Sequence, residues 1–133
     1  MKKYISVILI PLLCMFSCSN DDDTINDPDL LGKWQLIEQL VDPGDGSGTF
    51  QPVNSDLELE FLPAGVLQVF NGTLCLITID GEEDSTESYS IDENVITVDC
   101  GNSTSISFEI KEGRLFLYFP CIEACAQKYQ KLP

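Results

Sequence analysis

From residue 56 onward, apolar and polar side chains alternate one by one in short runs separated by turn-forming residues. In DLELEF (56–61), Leu57, Leu59 and Phe61 fall on one side and acids on the other. ISFEI (106–110) places Ile106, Phe108 and Ile110 together, and RLFLYF (114–119) sets Leu115, Leu117 and Phe119 opposite Phe116 and Tyr118. A repeat of two puts successive side chains on opposite faces of an extended chain, so each run reads as a β-strand with one dry face. NVITVD (94–99) adds a short β-branched strand. No stretch repeats at the three-to-four spacing of an amphipathic helix.

Eight strands follow: 31–41, 56–62, 65–70, 86–91, 94–99, 104–111, 114–120 and 126–132. Their connections are of two kinds. PA (63–64), DE (92–93) and EG (112–113) are tight hairpin turns, whereas 42–55, 71–85, 100–103 and 121–125 are mostly longer. In an up-and-down meander these lie at opposite ends, giving a tightly turned closed end and a loop-rich open end. The fold class is therefore all-β, an eight-stranded antiparallel up-and-down barrel, which leaves no free edges.

Cysteine placement agrees with that count. Cys75, Cys100, Cys121 and Cys125 all fall at the open end, whereas treating TLCLITID (73–80) as a ninth strand would carry Cys75 away from its partners. Two disulfides are then sterically open to them, in any of three pairings. A Cys121–Cys125 bridge would close a very short loop, so a bridge from Cys75 to the 121–125 turn is favoured. A four-thiolate zinc site is the competing reading, and export to an oxidising compartment weighs against it.

Export is read from the first residues. Met1-Lys2-Lys3 is a basic start, and ISVILIPLL (5–13) is an apolar run too short to span a bilayer and interrupted by Pro11. Met15-Phe16-Ser17-Cys18 resembles the lipobox of bacterial lipoproteins: a bulky apolar residue, a small residue directly before the cysteine, then the cysteine. The resemblance implies cleavage after residue 17, lipidation of the Cys18 thiol and acylation of the new amino terminus. Ser19-Asn20-Asp21-Asp22-Asp23 resembles the acidic signals that send some Gram-negative lipoproteins to the cell-surface face of the outer membrane. The chain thus divides into a signal peptide (1–17), a lipidated cysteine with an acidic flexible tether (18–29) and a folded domain (30–133).

Charge narrows the function. The 133-residue chain carries a net charge of −15 and no histidine. Such acidity excludes a nucleic-acid partner, and the missing histidine removes the commonest general base and every Ser/His or Cys/His nucleophile. Carboxylate groups such as Glu58/Glu60 and Asp80/Glu82/Glu83 are what any chain this acidic contains, so neither an enzyme nor a cofactor is expected. DPGDG (42–46) and DGEED (80–84) offer oxygens of the kind calcium takes. They lack EF-hand spacing, and no metal is expected.

Gly32-Lys33-Trp34, at the start of the first strand, matches the Gly-x-Trp signature of lipocalins. With the cysteine-containing turn before the last strand (CIEACAQKYQKL, 121–132), the chain resembles the lipocalin-like domain of small bacterial lipoproteins. The resemblance implies that Trp34 plugs the closed end under a basic residue of the last strand, Lys131, with Lys128 behind it. It also implies a cup for a small hydrophobic or amphipathic ligand, lined by parity by Leu36, Leu40, Leu57, Leu59, Ile106 and Leu117, with 42–55 as a glycine-rich lid. The alternative is a filled barrel serving as a surface-displayed module for a protein or glycan partner, the leucines being core and the membrane contact made through the lipid.

Overall fold

A computed structural model describes residues 27–133; the signal segment, Cys18 and the 18–26 part of the tether lie outside the described residues. The described chain forms strands β1 (Gly32–Val41), β2 (Gln51–Pro52), β3 (Glu58–Leu62), β4 (Val66–Phe70), β5 (Ser85–Ser90), β6 (Val95–Asp99), β7 (Ser103–Lys111), β8 (Arg114–Tyr118) and β9 (Cys125–Lys131). All neighbours are antiparallel, and β1 pairs with both β3 and β9, so eight strands close into a barrel. The two-residue β2 only extends the β3 side of β1, at Glu38 and Gln39. The stretch 73–80 is irregular, as its reading as a loop requires.

Local chemistry explains the hairpins. Glu112 and Gly113 both take positive φ (53° and 71°), the backbone twist that lets a two-residue link join Lys111 to Arg114 without splaying the strands. The short 3-10 turn Pro63–Gly65 joins β3 to β4 at the same end. At that end the chain enters the barrel through a turn in which the Leu30 and Leu31 amides donate to the Asp27 carbonyl (3.0 and 3.1 Å). Asp27–Asp29 therefore belong to the built structure.

One irregularity matters for the interior. Between Leu36 and Glu38 the β1–β9 register shifts, leaving Ile37 as a bulge. Leu36 stays opposite Tyr129, but beyond the bulge Gln39 faces Gln127 and Leu40 faces Ala126. Because parity slips by one residue, Leu40 turns to the outer face and Gln39 takes the inward place.

Candidate functional site

The interior is built by alternate residues of every long strand. Leu36, Leu57, Leu59, Ile106 and Leu117 all point inward and are 0–1 % exposed. The expected lining residue Leu40 is the exception, for the reason of the bulge. Phe61 of β3 lies 5.0 Å from Tyr89 of β5 and 5.9 Å from Phe108 of β7, ring centre to ring centre. β3 and β7 stand four places apart in a ring of eight, on opposite walls. Rings from opposite walls in van der Waals contact leave no lumen at that level. That level is the closed end, where Phe61 lies opposite Gly32; further along the barrel the five inward aliphatics belong to one buried cluster that also holds Trp34, Leu67, Val69, Ile96 and Tyr129.

The closed end is sealed by Trp34, whose indole N–H donates to the Leu30 carbonyl at 2.8 Å. Lys131 sits with its Nζ 5.4 Å from the Trp34 ring and donates to the carbonyls of Pro28 and Asp29 (3.2 and 2.8 Å). The ammonium ties the entry turn to the plug and shields it. Lys128, the second candidate for that place, does not take it. It lies on the outer wall, paired with Glu38 and over the rings of Phe50 and Phe116 (4.6 and 5.5 Å).

The open end is covered from an unexpected direction. The segment between β4 and β5 folds over the mouth and inserts Leu74, 2 % exposed, into the core. Its Thr78 carbonyl accepts from Gln127 Nε2 (2.8 Å), and its Ile79 carbonyl accepts from the Ser55 hydroxyl. Beneath it runs a buried polar chain: Tyr129 OH donates to Gln127 Oε1 (2.6 Å), and Gln127 Nε2 also donates to Gln39 Oε1 (3.1 Å). Burial pushes the Tyr129 phenol well above its usual pKa. Sequence reasoning missed Leu74 and Gln127: Leu74 sits in an aperiodic stretch, and Gln127 is a polar residue at a position whose parity alone marks it as inward.

The 42–55 connection is therefore not the lid. It lies along the sheet edge, with Val53 N–H donating to the Ile37 carbonyl (3.0 Å). Its start is organised by Asp42, whose Oδ1 accepts the amides of Gly44, Asp45 and Gly46 (2.7, 3.1 and 3.0 Å) and whose Oδ2 accepts that of Gly48 (2.7 Å). Gly48 is required by space, since a Cβ there would stand 2.8 Å from Asp42 Cα. These amides, first that of Gly48, hold the Asp42 carboxyl below the usual carboxylate range. With both oxygens engaged by N–H donors, the DPGDG loop is a self-filled nest, and it does not offer Asp42 to a calcium ion.

Cysteine pairing also differs from the favoured one. Cys75 pairs with Cys100 (Cα–Cα 5.4 Å) and Cys121 with Cys125 (6.0 Å), both at disulfide distance. The short 121–125 turn is wide enough to bridge because Cys121 lies beyond the end of β8 while Cys125 opens β9. Neither pair leaves thiolates for zinc, and among the described residues no group of three or more metal-ligating side chains occurs.

Outside the barrel, two features stand out. Leu76, Ile122 and Val41 are exposed apolar residues (66 %, 101 % and 56 %) around the open end, each next to or paired with a bridged cysteine. On the wall, Phe50, Phe116 and Tyr118 form an aromatic row with ring centres 5.7 and 6.4 Å apart, and Tyr118 OH donates to Glu109 (2.6 Å).

No protein-family profile and no curated protein matches the chain. The structure does resemble the crystal structure of a lipocalin-like protein from Bacteroides uniformis, at 20 % identity and a TM-score of 0.51, over 78 % of this chain and 99 % of that one. At that identity the likeness is one of architecture, an eight-stranded barrel of a kind that either fills itself or encloses one small ligand. In fold, the described chain is a lipocalin-like β-barrel.

Proposed function

We propose that the protein is an exported, lipid-anchored and non-catalytic interaction module, a filled lipocalin-like barrel displayed at the outer membrane. The observation that carries this reading is the one buried cluster that runs from the Phe61–Phe108 contact at the closed end through Leu36, Leu57, Leu59, Ile106 and Leu117 to Leu74 at the mouth. A barrel filled by its own side chains has its recognition chemistry on the outside. Lys131 holds Pro28 and Asp29 at the closed end, opposite the mouth with Leu76 and Ile122, which supports a mouth presented away from an anchor at Cys18. The segment between Cys18 and Asp27 reaches at most about 30 Å when extended.

The test is the anchor and the display together. In a Gram-negative host the full chain is expected in the outer-membrane fraction, digestible by protease added to intact cells, and Cys18→Ala is expected to leave that fraction. A wild-type chain that is periplasmic and soluble, or protected in intact cells, contradicts the reading.

A second reading keeps a small amphipathic ligand inside the barrel. The buried chain Gln39–Gln127–Tyr129 beneath the Leu74 segment supports it, because it would meet a polar head if that segment lifted. Ligand retained through purification would favour this reading over the first.

A further inference from the structure

β5 and β6 part company halfway along. They pair only at Ser88↔Thr97, Tyr89↔Ile96 and Ser90↔Val95. Beyond Ser88 each strand keeps its other neighbour: Thr86 and Glu87 stay on β4, and Val98 and Asp99 stay on β7. The ladder between them is replaced by one side-chain bond, from the Asp99 amide to Glu87 Oε2 (3.3 Å). The wall therefore opens into a cleft of about 540 Å³, edged by the hydroxyls of Thr86, Ser88, Thr97 and Ser103 and by the carboxylates of Glu87 and Asp99. A second hollow of about 200 Å³ adjoins it through Thr86 and adds Gln68, Phe70, Asp84 and Ser85.

We infer that this double hollow is a binding site for an uncharged saccharide. The lining selects the class. It contains no lysine or arginine, so nothing there holds an anion. It contains no cluster able to hold a metal ion. What it presents are hydroxyls that both donate and accept, carboxylates and an amide oxygen that accept, and one aromatic ring. Vicinal sugar hydroxyls, which donate and accept in turn, match that set, and the C–H face of a pyranose matches the apolar Phe70. Lys33 lies 5.4 Å from the Phe70 ring, on its β1 side. An extended peptide is the poorer match, because the unpaired edges run for only two residues on each strand. The site rests on the reading of the protein as an interaction module and names the chemistry of its partner.

Saturation-transfer NMR on the full chain, held in a detergent without a sugar headgroup, tests it. The probes are hexamers of α-1,4-glucose, β-1,4-glucose and β-1,4-N-acetylglucosamine, each at a few millimolar, where weak glycan affinities are visible. Transfer to ring protons of at least one hexamer is expected. It should fall at least fivefold in Ser88→Leu/Thr97→Leu, which fills the cleft from two exposed positions. Glu93→Trp, in the exposed turn at the far end, should leave it unchanged. No transfer from any hexamer overturns the inference, as does undiminished transfer in a double variant whose melting temperature is that of the wild type. Transfer to an extended Thr/Val hexapeptide but to no saccharide would assign the cleft to peptide instead. The surface-display experiment reads out independently, so loss of the glycan site and loss of the module reading are distinguishable.

Discussion

Gln127 holds the upper interior together with one amide. It accepts the Tyr129 hydroxyl and donates to both Gln39 and the Thr78 carbonyl, so its loss strands several buried polar atoms at once. Unpaired buried groups cost about 1–3 kcal/mol each, and Gln127→Ala is expected to lower the unfolding free energy by about 2–4 kcal/mol in urea melts. A change under about 1 kcal/mol would mean that water replaces the amide. Titration of the phenols carries its own sign. Burial raises Tyr129 well above its normal pKa, burial likewise raises Tyr89, and burial with the Glu109 bond pushes Tyr118 up to about 12. The folded state then binds these protons more tightly than the unfolded one, so their contribution is whole below about pH 10 and is lost as pH rises through the folded values. Tyrosinate absorbance is expected to lag behind that of free tyrosine and to rise with loss of near-ultraviolet dichroism. Asp42 has the opposite sign: its carboxyl is held low by amides, so its contribution is present above about pH 4 and fades as pH falls through its folded value. Asp42→Asn is expected to flatten the acid limb of the stability profile measured by thermal melts, and an unchanged limb would remove the nest from the account.

At the scale of elements, the segment between β4 and β5 decides whether the mouth is shut. It is held by the inserted Leu74, by two carbonyl contacts and by the Cys75–Cys100 bridge. Leu74→Ala is expected to cost about 2–5 kcal/mol, the usual range for a truncated core leucine. Cys75→Ala/Cys100→Ala should cost about 3.5 kcal/mol from the longer loop it closes, against about 2 kcal/mol for Cys121→Ala/Cys125→Ala. Amide exchange should then rise in 72–80 while β7 and β8 stay protected; uniform loss of protection would show that the segment and barrel unfold as one unit. The strands themselves were legible in the sequence because alternation such as Leu57/Leu59/Phe61 reports the dry face directly. Three things were not. The Ile37 bulge breaks parity without a marker residue, which is why Leu40 looked inward. The covering segment has no period, so glycine content pointed to 42–55 in its place. The bridges follow the spacing of strand ends, and Cys121 and Cys125 look too close along the chain although the turn holds them 6.0 Å apart.

For the whole molecule, closure of eight strands followed from counting, but fullness did not. Whether a barrel this small is hollow depends on which large side chains meet across it, and the meeting of Phe61 with Phe108 is fixed by shear and register that no single strand reveals. Trp34, third residue of β1, is buried at the closed end with its indole N–H on the Leu30 carbonyl. The cleft between β5 and β6 was invisible, since STESYS (85–90) reads as an ordinary polar edge until its pairing stops at Ser88. The central claim is that the interior is occupied by the protein's own side chains. Native mass spectrometry of the soluble domain from Asp21 onward, which lacks the lipidated Cys18, purified from an oxidising compartment, tests it most directly. The bare mass of that domain, four hydrogens light for the Cys75–Cys100 and Cys121–Cys125 bridges, is expected under native and denaturing spray alike. An extra mass present only under native spray, and lost in a variant such as Leu59→Trp that overfills the barrel, would contradict it and place a ligand inside.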